Sequence, residues 1–398
     1  MSMFTAVEMA PRDPILGLND QFAADQNPKK VNLGVGVYYD DKGKLPLLQC
    51  VQRAEKTMMD APKPRGYLPI DGIASYDAAV QTLVFGPGSE PVTSGRVATI
   101  QGVGGTGGLK VGADFLKQIN PNATVLISDP SWENHRALFS RAGFPVATYP
   151  YYDAEKRGVN FDGMLAALLA ATEGTIVVLH ACCHNPTGYD ITPTQWDQVV
   201  AAVKSRKLVA FLDMAYQGFG QGIREDGVAI EKFTAAGLNF FVGTSFSKSF
   251  SLYGERVGAL SVLCTSKEET VRVLSQLKIA IRTNYSNPPT HGGAVVAAVL
   301  SSPELRTLWE GELAGMRVRI KEMRQKLVDG LKAAGVKQDM SFITQQVGMF
   351  SYSGLSKDQM VRLRNEFGIY GTDTGRMCVA ALNSGNIDYV CASIAKVV

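Results

Sequence analysis

The chain lacks a strong charge of either sign. Among its 398 residues, 40 Lys and Arg stand against 37 Asp and Glu, with no basic cluster. That balance gives no reason to expect a nucleic-acid partner. Long hydrophobic runs are missing too, and without a stretch of about 18 apolar residues no membrane span is expected. The opening MSMFTAVEMAPRDPI has no basic start followed by an apolar core, and Glu8 interrupts it, so no secretory signal is visible. Cysteine is sparse and scattered (Cys50, Cys182, Cys183, Cys264, Cys378, Cys391), with no Cys-x-x-Cys spacing. Nothing there suggests a disulfide framework, and a reducing cytoplasm is the expected setting. Internal repeats and low-complexity tracts are absent. What remains is 45% apolar and 19% charged residues, ordinary for a soluble globular protein. The length exceeds one compact core, so two domains are expected.

The middle of the chain alternates between two signals. Short β-rich apolar runs occur at 96–101, 123–128, 175–180, 208–213, 239–245 and 257–264. Helix-like segments lie between most of them. In GLKVGADFLKQI, Leu109, Ala113 and Leu116 share one face, and Thr192 and Pro193 cap TPTQWDQVVAAVKSR. This rhythm predicts an α/β domain with a largely parallel sheet, whose ligand sits beyond the carboxyl ends of the strands. After about residue 300 the pattern changes. Met316, Ile320, Met323, Leu327 and Leu331 form a single apolar stripe, predicting a long helix over 303–334. Short strands follow at GMFSYSG and RMCVAAL, which reads as a smaller α+β domain. The segment before residue 45 has no rhythm of its own and is expected to pack against that domain.

Four motifs lie just after the apolar runs. GVGGTGGLK, Gly102 to Lys110, follows a strand and opens a helix, where bare glycines let backbone N–H groups approach an anion. It is neither a P-loop nor a good dinucleotide fingerprint. A plain tight turn is the alternative. HACCHNPTGYD places His180 and His184 four apart beside two cysteines. Such a pair faces together on a helix, whereas this run ends a strand and enters an Asn-Pro-Thr-Gly turn, so no metal is expected. Asn185 there can donate its amide to a ligand oxygen, or simply form the turn. Asp213 closes an apolar strand in FLDMAYQGF, a costly place for a carboxylate without a cation, and Tyr216 could reach the same ligand. A helix N-cap is the alternative for Asp213. In GTSFSKSFSLYGERVG, Lys248 stands between serines at a strand end. In a dry cleft its charged form is disfavoured, and a neutral amine can form a Schiff base with a carbonyl. Ser245, Ser247 and Arg256 would then face a phosphate. An ordinary loop lysine is the alternative.

Together SFSKSFSLYGERVG, HNPTG, DMAYQGF, PSWENH and GRMCVA resemble the class I aminotransferases, the aspartate and aromatic amino-acid branch of the fold-type I pyridoxal-phosphate enzymes. The likeness runs from NLGVGVYYD near residue 32 to GRMCVAALN near 383, nearly the whole chain. It implies a large cofactor-binding domain at 46–314, a small domain from 13–45 and 315–398, and an N-terminal arm at 1–12. By resemblance, Lys248 holds pyridoxal phosphate covalently, and Asp213 pairs with the pyridine nitrogen. Tyr216 and Asn185 bond the phenolic oxygen, and Trp132 stacks on the ring. Gly104, Gly105, Thr106, Ser245, Ser247 and Arg256 hold the phosphate. Arg376 grips the substrate α-carboxylate, with Gly36, Trp132 and Asn185 also lining the substrate. Arg282 in IRTNYSNPP and Tyr67 in GYLPIDG correspond to residues lent by the other subunit of a homodimer. Arg282 would meet a side-chain carboxylate and Tyr67 the phosphate.

The implied reaction has two halves. An amino acid leaves its amine on the cofactor and departs as a 2-oxo acid, and a second 2-oxo acid, 2-oxoglutarate, takes the amine. Tyr39 and Leu45 stand where strict aspartate enzymes of the family carry more polar residues, whereas Thr106 and Asn287 are the aspartate-type choice. The expectation is an aromatic amino-acid aminotransferase that also accepts aspartate. A strict aspartate aminotransferase is the main alternative. Two other classes compete: a nicotinamide dehydrogenase built on GVGGTGG, and a non-catalytic binding module. The presence of Lys248, Asp213 and Arg376 together counts against the latter.

Overall fold

A computed structural model describes residues 2–10, 13 and 15–398. Its centre is a seven-stranded sheet. In spatial order the strands are Val97–Val103, Val257–Leu263, Phe240–Ser245, Val209–Met214, Ile176–His180, Val125–Asp129 and Val146–Pro150. Val257–Leu263 runs antiparallel to both neighbours, and the other pairings are parallel. Side chains alternate across the sheet. Val177, Leu179, Ala210 and Leu212 join one apolar core, while Ile176, Val178 and Phe211 join the other. Burial on both faces is why these strands read as continuous apolar runs.

The strand Val146–Pro150 gave no apolar signal. It lies at the sheet edge with three of its five residues exposed, and its proline sits where a missing donor is tolerated. The helix Gly104–Ile119 begins four residues before the expected GLKV segment, so the glycine run forms its first turn. Pro193–Arg206 opens with a reciprocal cap between Thr192 and Gln195.

Pro303–Ala333 is one continuous helix, and Met316, Ile320, Met323, Leu327 and Leu331 are all buried along it. It runs unbroken past 314/315, the expected domain boundary. Beyond it, Phe350–Tyr352 pairs antiparallel with Arg376–Cys378, and Val31–Asn32 pairs in parallel with Ile369–Tyr370. That last pairing joins the N-terminal segment to the C-terminal elements. Among the described residues, no helix is long and apolar enough to cross a membrane. All six cysteines are buried and unpaired.

Candidate active site

The parallel strands deliver their chemistry at one edge. His180 ends its strand and pairs in register with Asp213, which pairs in turn with Gly243. Ser245 ends the next strand, and the turn after it carries Lys248. A cavity of about 430 Å³ opens over these carboxyl ends. Gly36, Gly105, Thr106, Trp132, Asn185, Asp213, Tyr216, Ser245, Ser247, Lys248, Arg256 and Arg376 all line it. Residues spread over some 340 positions of sequence thus meet where open α/β sheets bind ligands.

Asp213 lies within its strand, not at a helix N-cap, and is buried. Its Oδ2 accepts a 2.8 Å hydrogen bond from His135 Nε2, and Ser131 Oγ lies 2.9 Å from the other ring nitrogen. Burial alone would raise the Asp213 carboxyl. The His135 hydrogen bond, helped by the nearby Lys248 ammonium, outweighs it and holds the group below its usual range. Lys248 responds in the opposite way. Burial, opposed by Asp213 and assisted by Arg256, pushes its ammonium down to about 8. A neutral amine is therefore within reach near neutral pH. Its Nζ sits 4.9 Å from the Tyr216 ring centre. Burial pushes the Tyr216 phenol far above its ordinary value, so it remains a proton donor.

On the other side of the cavity the chain builds an anion cradle. The helix Gly104–Ile119 starts here, and the Gly104 N–H donates to the Arg256 carbonyl at 2.9 Å. Gly104 has φ +68°, and a Cβ there would lie 2.4 Å from an Arg256 guanidinium nitrogen. A bare helix N-terminus, the Ser245 and Ser247 side chains and Arg256 converge on one spot. Arg256 Nη1 donates to the Tyr253 carbonyl at 3.0 Å.

Arg376 forms the third part. It is buried, donates to Asn185 Oδ1 at 3.1 Å and to the Gly34 carbonyl at 2.6 Å, and lies 4.3 Å over the Phe350 ring. Burial lowers its pKa, yet its Nε has no hydrogen-bond partner among the described residues. A buried guanidinium that lines a cavity and keeps an unused donor suits a carboxylate.

Three expected residues do not line the cavity of this chain: Gly104 lies just behind it at the helix start, and Tyr67 and Arg282 lie away from it. Tyr67 is 96% exposed, and Arg282 is exposed and bonded to Ser286. Asn287 Nδ2 donates to the Leu68 carbonyl at 3.1 Å, so the two segments that carry them are joined. His180 and His184 face each other although no helix carries them, contrary to the expectation from their spacing. A strand end and turn do bring the rings together, 4.2 Å apart, because the chain folds back at Cys183, where φ is +52°. His184 is held by Ser128 and Thr187 at 2.9 Å each and stacks on Tyr151. Burial and the neighbouring His135 push His180 down to about 3, leaving it neutral. Sequence reading missed His135, Tyr253 and Phe350. Only His135 carried a signal, as the last residue of PSWENH on the first turn after Trp132.

A lysine with a lowered pKa, an anionic carboxylate opposite it and an anion cradle form one pocket, and this set fits pyridoxal phosphate. The profile of aminotransferase class I and II matches residues 28–394. The chain belongs to this family. It is 62% identical to an aspartate aminotransferase of Pseudomonas aeruginosa over the full length of both chains. It is 49% identical to an aromatic-amino-acid aminotransferase of Escherichia coli, covering 99% of this chain and 100% of the relative. Its fold is also similar to that of an aromatic-amino-acid aminotransferase from Burkholderia pseudomallei covalently bound to pyridoxal phosphate. There the TM-score is 0.97 and the identity 66%, with both chains fully covered. A psychrophilic aromatic aminotransferase from Psychrobacter sp. B6, crystallised with aspartic acid, is similar at 47% identity, TM-score 0.97 and 99% coverage of each chain. The aminotransferase therefore uses pyridoxal phosphate, and its substrates are amino acids and 2-oxo acids.

Proposed function

We propose that this aminotransferase moves the amino group of aromatic amino acids and of aspartate to 2-oxoglutarate, in the cytoplasm, as a homodimer with shared active sites. The reading is carried by the pairing of a buried α-carboxylate arginine, Arg376, with a second arginine, Arg282, exposed on a single chain. An arginine from a partner can meet a distal carboxylate and also withdraw from an aromatic side chain. Similarity to aromatic aminotransferases, one of them crystallised with aspartic acid, supports the dual preference. The two assemblies, 13–45 with 315–398 and 46–314, are the proposed small and large domains, with 1–12 as an arm.

Pyridoxal phosphate, when bound, supplies an electron sink for the charge left at the substrate Cα. Asp213, kept anionic and oriented by His135, holds a proton at the pyridine nitrogen. Tyr216 and Asn185 bond the phenolic oxygen, and Trp132 covers the ring. Gly104, Gly105, Thr106, Ser245, Ser247 and Arg256 hold the phosphate, joined by the partner's Tyr67. Arg376 fixes the substrate α-carboxylate with two parallel hydrogen bonds. With the cofactor bound, the Lys248 amine would take the proton from the substrate Cα and hold it, work suited to a base with a pKa near neutrality. Steady-state rates with tyrosine, phenylalanine, tryptophan and aspartate, each with 2-oxoglutarate, test the reading. Turnover of the aromatic donors and of aspartate is expected. Activity on aspartate alone would establish the strict aspartate enzyme instead.

A further inference from the structure

Arg324 lies outside the cavity and is among the most deeply buried side chains, 2% exposed. It forms no salt bridge among the described residues. Its guanidinium is instead ringed by oxygens of a single segment. Nη1 donates to the Ile343 carbonyl at 3.3 Å and to Gln346 Oε1 at 3.4 Å. Nη2 donates to the Gly348 carbonyl at 2.9 Å and to the Phe350 carbonyl. Burial pushes its pKa down to about 10, so it stays charged at neutral pH. A buried cation without a counter-ion is costly. A planar fork gathering oxygens from four residues fixes the course of that segment in a way a point charge cannot.

The segment leads directly to the substrate arginine. Phe350 places its ring 4.3 Å beneath the Arg376 guanidinium and packs edge-on against Tyr216 at 5.8 Å. The fit leaves no slack. A Cβ on Gly36 would lie 2.6 Å from the Phe350 ring, and one on Gly188 would lie 2.7 Å from the Phe350 carbonyl. Gly348, at φ +77°, passes so close to Cys183 that a Cβ would stand 2.6 Å away. The Val347 N–H donates to the Gly188 carbonyl at 2.7 Å. The same segment thus also backs the turn that carries Asn185, the residue bonded to Arg376.

We propose that Arg324 is a positioning residue for substrate binding: by pinning residues 343–350 it sets the Phe350 ring and the Asn185 turn, and through them the Arg376 guanidinium. The inference rests on the reading of Arg376 as the carboxylate site. It assigns no contact between Arg324 and substrate or cofactor.

The test uses holoenzymes of Arg324→Met, Arg324→Lys, Arg376→Lys and the double variant Arg324→Met/Arg376→Lys. Dissociation constants of succinate and 3-phenylpropionate are read from the cofactor absorbance, alongside cofactor affinity and melting temperature. Arg324→Met should weaken both carboxylates on the order of tenfold and cofactor affinity by far less, since Lys248 and the phosphate cradle lie outside the pinned segment. Arg324→Lys should recover little, since it restores the charge without the fork. The double variant should bind no more weakly than Arg376→Lys alone, because Arg324 acts through Arg376. A lower melting temperature with unchanged carboxylate affinity, full recovery in Arg324→Lys, or additive losses in the double variant would each overturn the proposal. Unchanged affinity in Arg376→Lys would overturn the carboxylate reading, and the proposal with it. If Arg324→Met does not fold, Arg324→Lys takes its place in the same cycle: its combination with Arg376→Lys should lose no more affinity than Arg376→Lys alone, and an additive loss refutes the link.

Discussion

Lys248 and Asp213 show one environment shifting two pKa values in useful directions. Burial works against both charges, but Asp213 has a hydrogen-bonding partner, His135, to compensate. Asp213→Asn keeps the shape and removes the charge. Cofactor should still bind, while turnover falls by about 3–5 kcal/mol in the barrier, the scale of a buried charge partner. Near-normal single-turnover rates would show the carboxylate to be dispensable. Lys248 carries a stability consequence in the cofactor-free protein. The unfolded lysine titrates near 10.5 and the folded one at about 8, so between these values the unfolded chain binds more protons. Stability then rises with pH through that window, and the full penalty is present below it. Lys248→Met should stabilise the cofactor-free protein at neutral pH by ~2 kcal/mol, tempered because the cavity admits water. The gain should shrink as pH rises through 8 toward 10.5, which melting curves across that range would reveal.

At the scale of elements, the antiparallel strand Val257–Leu263 seats the anion cradle. It runs beside Val97–Val103, so Gly258 lies against the start of the glycine-rich helix. A Cβ on Gly258 would stand 2.3 Å from the Gly104 carbonyl carbon and 2.5 Å from the Gly105 nitrogen. These are backbone atoms and cannot rotate aside. Gly258→Ala should therefore cost about 1–3 kcal/mol in stability and also weaken cofactor retention. Gly315→Ala is the matched control. It sits exposed in the long helix with nothing within 4 Å of its Cβ position, and should stabilise by about 0.5–1 kcal/mol. Unfolding curves and cofactor titration of both variants separate a local clash from a general intolerance of alanine.

At the scale of the whole molecule, a single chain leaves Tyr67 and Arg282 exposed, and among the described residues the cations lining the cavity are Lys248, Arg256 and Arg376. Shared sites predict complementation. Lys248→Ala and Arg282→Ala chains, denatured and refolded together, should regain activity on aspartate although each homodimer is nearly inactive. In a mixed dimer one site joins the intact Lys248 of one chain to the intact Arg282 of the other, and the second site loses both. Random pairing should restore about a quarter of all sites. If both residues act within one chain, mixing restores nothing.

The sequence by itself determined the kind of sheet and the kind of chemistry. Apolar runs buried on both faces marked the central strands, and a carboxylate or lysine set directly after such a run has few other reasons to be there. The exposed edge strand Val146–Pro150 escaped because it buries almost nothing that periodicity could register. Only the tertiary structure decided which residues stand next to one another. His135 meets Asp213 across 78 positions, and Arg376 meets Asn185 across 191 and Gly34 across 342. It also placed Arg324 and Phe350 behind Arg376, and it turned His184 back onto His180. Local patterns report which face of an element is buried. They carry no information about which distant element covers it, because that choice depends on how whole layers pack.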